Sequence, residues 1–222
     1  MMILLFVTLM GDGLPPGATK NIWDSTKMVR VETPYGTTWQ GWYGSSHESW
    51  QYLFLPMRDR PEFRQLFKIR EIIRSQNANA HHYPGFATSA LDPAGDGKGY
   101  LDGAGIEGVT GQKLRNQHIY TLYGAFPSLL LYSDDPSKPN LALTWVLNML
   151  KAPRMQGPIG AGEAGTNDGA HVTPAKTCDG TYPNLLALMG GLEKESAEMM
   201  KEQGVYDKFL EILGGEYKEA FG

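Results

Sequence analysis

Apolar residues fall into separate blocks along the chain, divided by two long glycine-rich tracts. The clearest block begins at Pro61, an imino acid that a first helical turn tolerates because the missing N–H there has no helical partner. Phe63, Leu66, Phe67 and Ile73 recur on one helical face and Ile69 and Ile72 on a second, which predicts a buried helix. Residues 119–132 are strongly apolar but contain Pro127, which predicts a kink or break. Residues 141–150 predict another helix that stops before Pro153, and 185–200 together with Tyr206, Phe209, Leu210 and Leu213 predict two more. Residues 47–56 form a short apolar element. The apolar decamer 1–10 has no charged leading region and is too short to span a bilayer, so it reads as a core segment.

Between these blocks, residues 12–44 are rich in Gly, Pro, Thr and Trp without helical period and read as extended or looped. The tracts 83–111 and 157–180 are longer than structureless loops in compact domains usually are unless they serve a site. Strand signals are sparse, and neither a repeat nor a linker divides the chain. The pattern predicts one mainly α domain over residues 1–222, built of helical hairpins with long Gly-rich loops sharing one rim.

A length of 222 residues supports a sizeable core, and the formal net charge of −4, with basic residues scattered among acidic ones, offers no footprint for nucleic acid or an anionic membrane surface. Cys178 is the sole cysteine, which excludes an internal disulfide and a Cys-rich metal site. No cofactor and no metal are expected.

Three constellations carry candidate chemistry. The first, within residues 41–50, places His47 and Glu48 among Trp42, Tyr43 and Trp50. Aromatic faces stack on sugar rings, and a desolvated glutamate holds a proton suited to acid catalysis. A serine helix cap with core tryptophans explains the same residues. The second runs through Asp92, Tyr100 and Asp102 on a flexible backbone, suited to sugar hydroxyls, to Ca²⁺, or simply to side-chain-capped turns. The third sets Glu163 in a stretch stripped of side chains, followed by Asp179 just before a helix, where capping is an alternative role.

Together these segments resemble the glucoamylase-like glycoside hydrolase family, which includes the bacterial β-1,2-glucanases. The residues that carry the resemblance are Trp42 to Glu48 followed by Leu53-Phe54-Leu55-Pro56, then Gly85 through Ser89 to Asp92-Pro93 with Gly99-Tyr100. Gly160-Ala161-Gly162-Glu163-Ala164 and Cys178-Asp179-Gly180 complete it, with Glu163 where the family carries Asp, Gly162 where it carries an aromatic, and no Gln between Asp179 and Gly180. The resemblance implies part of an (α/α)6 toroid, its C-terminal half, and a periplasmic or extracellular setting. It also implies hydrolysis of a β-glucan or related oligosaccharide by paired carboxylates. Glu48 is then the acid, Glu163 or Asp179 the base, and Trp42, His47, Trp50, Asp92, Tyr100 and Asp102 bind substrate. A non-catalytic carbohydrate-binding or scaffold protein and a calcium-stabilised interaction domain are the rival readings. A half toroid also implies a homodimer or a separate N-terminal partner, with the helix at residues 63–73 and the decamer 1–10 supplying the interface.

Overall fold

In the computed structural model the apolar decamer forms helix α1, Met2–Met10. Phe6, Leu9 and Met10 pack against the main core, while Val7 stays half exposed. The structure describes residues 2–11, 15, 17–18, 21, 27–41, 49–86, 88–95, 98–102, 105–111, 113–115, 118–132, 140–152 and 154–222. The tract expected to be extended contains an antiparallel hairpin of β1, Arg30–Thr33, and β2, Gly36–Trp39, in which Arg30 faces Trp39. Helix α2, Ser49–Phe54, follows and buries Tyr52 and Leu53.

The block beginning at Pro61 forms α3, Pro61–Ala80, and Phe63, Leu66, Phe67 and Ile73 are buried as their spacing predicts. Its second face departs from expectation. Ile72 is 40% exposed, and the buried positions there are Arg70, Glu71, Arg74 and Ser75. These charges tolerate burial because Arg74 and Glu71 form a two-pronged ion pair at 3.0 and 2.9 Å, and Arg70 lies 4.2 Å over the Trp39 ring.

Beyond α3, β3, Ala90–Leu91, pairs with β4, Tyr100–Leu101, inside the long loop. Strand β5, Ile119–Thr121, leads into two 3-10 turns, Leu122–Gly124 and Phe126–Ser128, and then into the short α4, Leu129–Tyr132. Pro127 therefore breaks the apolar block as expected. Helix α5, Leu141–Leu150, begins where the Asn140 side chain accepts the Leu143 N–H at 3.0 Å.

The second glycine-rich tract is less irregular than its composition suggests. It holds β6, Gln156–Gly157, β7, Gly160–Ala161, and β8, Ala164–Thr166. Strand β8 pairs with β5, with Thr121 opposite Ala164 and Tyr120 opposite Gly165, which sews this loop to the core.

Three helices complete the chain: α6, Cys178–Met189, α7, Glu193–Glu202, and α8, Tyr206–Phe221. Gly190 adopts the left-handed conformation that ends α6. The Leu192 N–H then bonds the Leu53 carbonyl at 2.8 Å, so α7 folds back over α2, and Arg58 closes the same corner through an ion pair to Glu193. The dominant core joins Tyr52, Leu53, Phe67, Leu131, Met149, Met200, Phe209 and Leu213. The architecture is mainly α-helical, as expected, and the long loops carry short two-stranded ribbons that the sequence did not predict. Among the described residues no helix is long and apolar enough to cross a membrane.

Among the described residues, the elements expected to expose apolar surface do so at Val7 of α1 and Ile72 of α3, and more of it lies on α6. The apolar positions Phe63, Leu66, Phe67 and Ile73 of α3 face the core, whereas α6 presents Tyr182, Leu185, Leu188 and Met189 to solvent, the last two 66% and 71% exposed.

Candidate active site

Glu163 sits between β7 and β8, where the chain is pinned on both sides. The Gly162 N–H bonds the Met155 carbonyl at 2.8 Å and the Thr173 N–H bonds the Ala164 carbonyl at 2.9 Å. A Cβ at Gly162 would lie 2.7 Å from Val172 Cγ1 and 2.8 Å from the Thr173 carbonyl oxygen. Glycine at this position is thus a packing requirement, and an aromatic does not fit.

The Glu163 side chain is 3% exposed, and its Oε2 atom has no hydrogen-bond partner among the described residues. Burial pushes its pKa up, a hydrogen bond from the Leu91 backbone opposes that rise, and the charge of Asp179 reinforces it. A buried carboxyl with one oxygen unsatisfied calls for a reason beyond packing.

Asp179 occupies the exposed first turn of α6. It is not the helix cap: Thr177 accepts the Gly180 N–H at 3.1 Å instead. A Cβ at Gly180 would stand 3.8 Å from Glu163 Cα, so the start of α6 abuts the Glu163 backbone.

Tyr123 links the remaining groups. It is buried, its hydroxyl donates to the Ser89 carbonyl, and desolvation pushes its pKa well up. It also senses the charges of Tyr100, Glu163 and Asp179. The half-buried Trp50 ring lies 6.3 Å from the Tyr123 ring. Tyr100, 54% exposed, stands opposite Leu91 in the β3–β4 ribbon, and so beside the residue whose backbone meets Glu163.

The sequence-derived candidates thus divide. Trp50, Tyr100, Glu163 and Asp179 gather around Tyr123, which the sequence did not single out because its block reads as plain core. Asp92 turns its Oδ1 to the Ala94 N–H at 2.9 Å, closing its own turn, and Asp102 makes an exposed ion pair with Arg115 at 3.4 Å. Trp42, His47 and Glu48 lie outside the described residues, and Trp39 is buried. Among the described residues no group of three or more His, Cys, Asp or Glu side chains is arranged to hold a metal ion.

Comparison with known proteins gives a family. A family model described as endo-β-1,2-glucanase SGL matches residues 2–222. No curated protein matches the chain. Among solved structures, the endo-β-1,2-glucanase from Talaromyces funiculosus in complex with sophorose superposes with a TM-score of 0.86 at 27% identity. A Glu-to-Gln mutant of that enzyme in complex with β-1,2-glucan gives the same values. Each match covers 99% of this chain and 46% of the other, so the chain spans less than half the length of these solved enzymes. With its sequence matched from residue 2 to residue 222, the chain belongs to the endo-β-1,2-glucanase SGL family.

Proposed function

We propose that this protein hydrolyses β-1,2-glucan, with Glu163 as general acid and Asp179 as the carboxylate that activates water. The observation that carries this reading is the buried Glu163 carboxyl, whose Oε2 lacks a partner among the described residues and whose pKa is raised by burial. Such a group retains a proton at pH values where a free glutamate has lost it, as an acid facing a glycosidic oxygen requires. The bond between the anomeric carbon and the linking oxygen breaks. Glu163 delivers its proton to that oxygen, water bonds to the anomeric carbon, and Asp179 takes the proton that water releases. Asp179 is exposed to solvent, where water can reach its carboxylate. Tyr100 offers an accessible ring for stacking on a glucose unit. The test is reducing-end release from β-1,2-glucan. Glu163→Gln is expected to lower kcat by roughly 10²–10⁴-fold, and a variant that retains parental turnover contradicts the assignment.

The exposed face of α6 supports a reading of the assembly. Residues 180–192 contain no charged side chain and include the exposed Tyr182, Leu185, Leu188 and Met189. Contiguous apolar surface of this kind marks an interface, and an uncharged face matches a second copy of itself across a two-fold axis. We therefore propose a homodimer through α6. Light scattering at micromolar concentration is expected to give a dimer that Leu188→Gln converts to a monomer, and a monomeric parent overturns the proposal.

A further inference from the structure

Helix α3 carries three buried charges, Arg70, Glu71 and Arg74, all within 3% exposure. Buried ion pairs give little net stability over well-packed apolar residues, so their placement calls for another account. The contacts of Arg74 supply one. Its Nη2 donates to the Gly124 carbonyl at 2.7 Å while Nη1 is held by Glu71, and its guanidinium lies 4.3 Å over the Phe86 ring. A Cβ at Gly124 would sit 3.4 Å from both Arg74 Nη2 and Phe86 Cβ, so the glycine lets all three converge.

These contacts clamp together two segments that reach the site. One holds Phe86 and residues 88–91, where the Leu91 backbone meets the Glu163 carboxyl. The other holds Tyr123, next to Gly124, and the Tyr123 hydroxyl is tied back to the Ser89 carbonyl. Arg74 fastens the pair at one end and Tyr123 at the other. Arg70, one turn earlier on α3, grips the Trp39 carbonyl instead, at 3.0 Å.

We infer that Arg74 is a positioning residue for the glucanase reaction, holding the wall formed by Tyr123, Phe86 and residues 88–91 against Glu163. This rests on the assignment of Glu163 as the acid. The groups that face Glu163 in this account are the Leu91 N–H, Tyr123 and Asp179. Loosening the wall admits water and displaces the acid, and a misplacement near 1 Å costs about 10²-fold in rate.

The experiment compares Arg74→Lys with Arg70→Lys, each conserving charge in a buried setting on the same helix. Two readouts are used: kcat and KM on β-1,2-glucan, and a carbon-13 NMR titration of the Glu163 carboxyl. Arg74→Lys is expected to lower kcat by about 10–100-fold with KM changed less than about twofold, and to bring the Glu163 midpoint down toward that of a free glutamate. Arg70→Lys is expected to leave both near parental. A folded Arg74→Lys protein with parental kcat and titration overturns the inference, as does an equal effect from Arg70→Lys. Should Arg74→Lys fail to fold, Tyr123→Phe cuts the same clamp at Ser89, with a comparable fall in kcat expected and an unchanged kcat contradicting it. An ordinary Glu163 midpoint in the parent chain sinks the acid assignment instead, which separates the two failures.

Discussion

Glu71 and Glu163 are equally buried, each 3% exposed, yet the protein treats them in opposite ways. Glu71 lies on a long helix, and both of its oxygens receive Arg74 at hydrogen-bonding distance. Glu163 lies between two short strands, with one oxygen left without a partner among the described residues and an acidic neighbour in Asp179. The difference shows that burial alone does not mark a reactive carboxyl. What distinguishes Glu163 is burial without a compensating cation among the described residues, which costs stability and favours the protonated form.

That contrast predicts opposite signs for two deletions. Glu71→Ala leaves the Arg74 guanidinium buried without its counter-charge and is expected to cost about 3–5 kcal/mol in denaturant unfolding. A cost below about 1 kcal/mol would mean that the pair contributes nothing beyond an exposed one.

Glu163→Gln is the smaller effect and runs the other way, stabilising the fold by roughly 0.5–2 kcal/mol at neutral pH, as relief of a strained functional group often does. The pH dependence fixes the sign. Because the folded pKa of Glu163 is raised, folding favours its protonated form. Below the ordinary glutamate pKa of about 4.3 both states are protonated and the variant has no advantage from this group. As pH rises through the window up to the raised folded value, the unfolded state ionises first and the parent loses stability relative to the variant. A stability difference that is constant across pH 4–8 contradicts the account.

Much of the scaffold was legible in the sequence because it rests on local rules. The phenylalanine and leucine spacing of α3, the interruption at Pro127 and the apolar period of α8 all follow from backbone and burial constraints that a few neighbouring residues specify. The second face of α3 was misread because periodicity scores Ile72 as core and Arg70, Glu71 and Arg74 as surface. Tertiary partners reversed both assignments. Strands β3, β4, β6 and β7 have two residues each, too few for an alternating pattern to register.

Within the site, Glu163 stood out because glycines and alanines surround it, leaving its carboxyl as the sole chemistry of its stretch. Tyr123 did not, since a tyrosine inside an apolar block carries no local sign of the Ser89 carbonyl it will meet. The Leu91 contribution is a backbone N–H, which has no sequence signature at all. Thr177 rather than Asp179 caps α6, a choice between two good capping residues that only the loop path decides.

The central claim is that Glu163 holds a proton where an ordinary glutamate is ionised. Carbon-13 NMR of the glutamate carboxyls, assigned through the loss of one resonance in Glu163→Gln, measures it directly. The account predicts a Glu163 midpoint clearly above about 4.3, the value of a free glutamate. A midpoint at or below that value would contradict it and remove Glu163 as the acid.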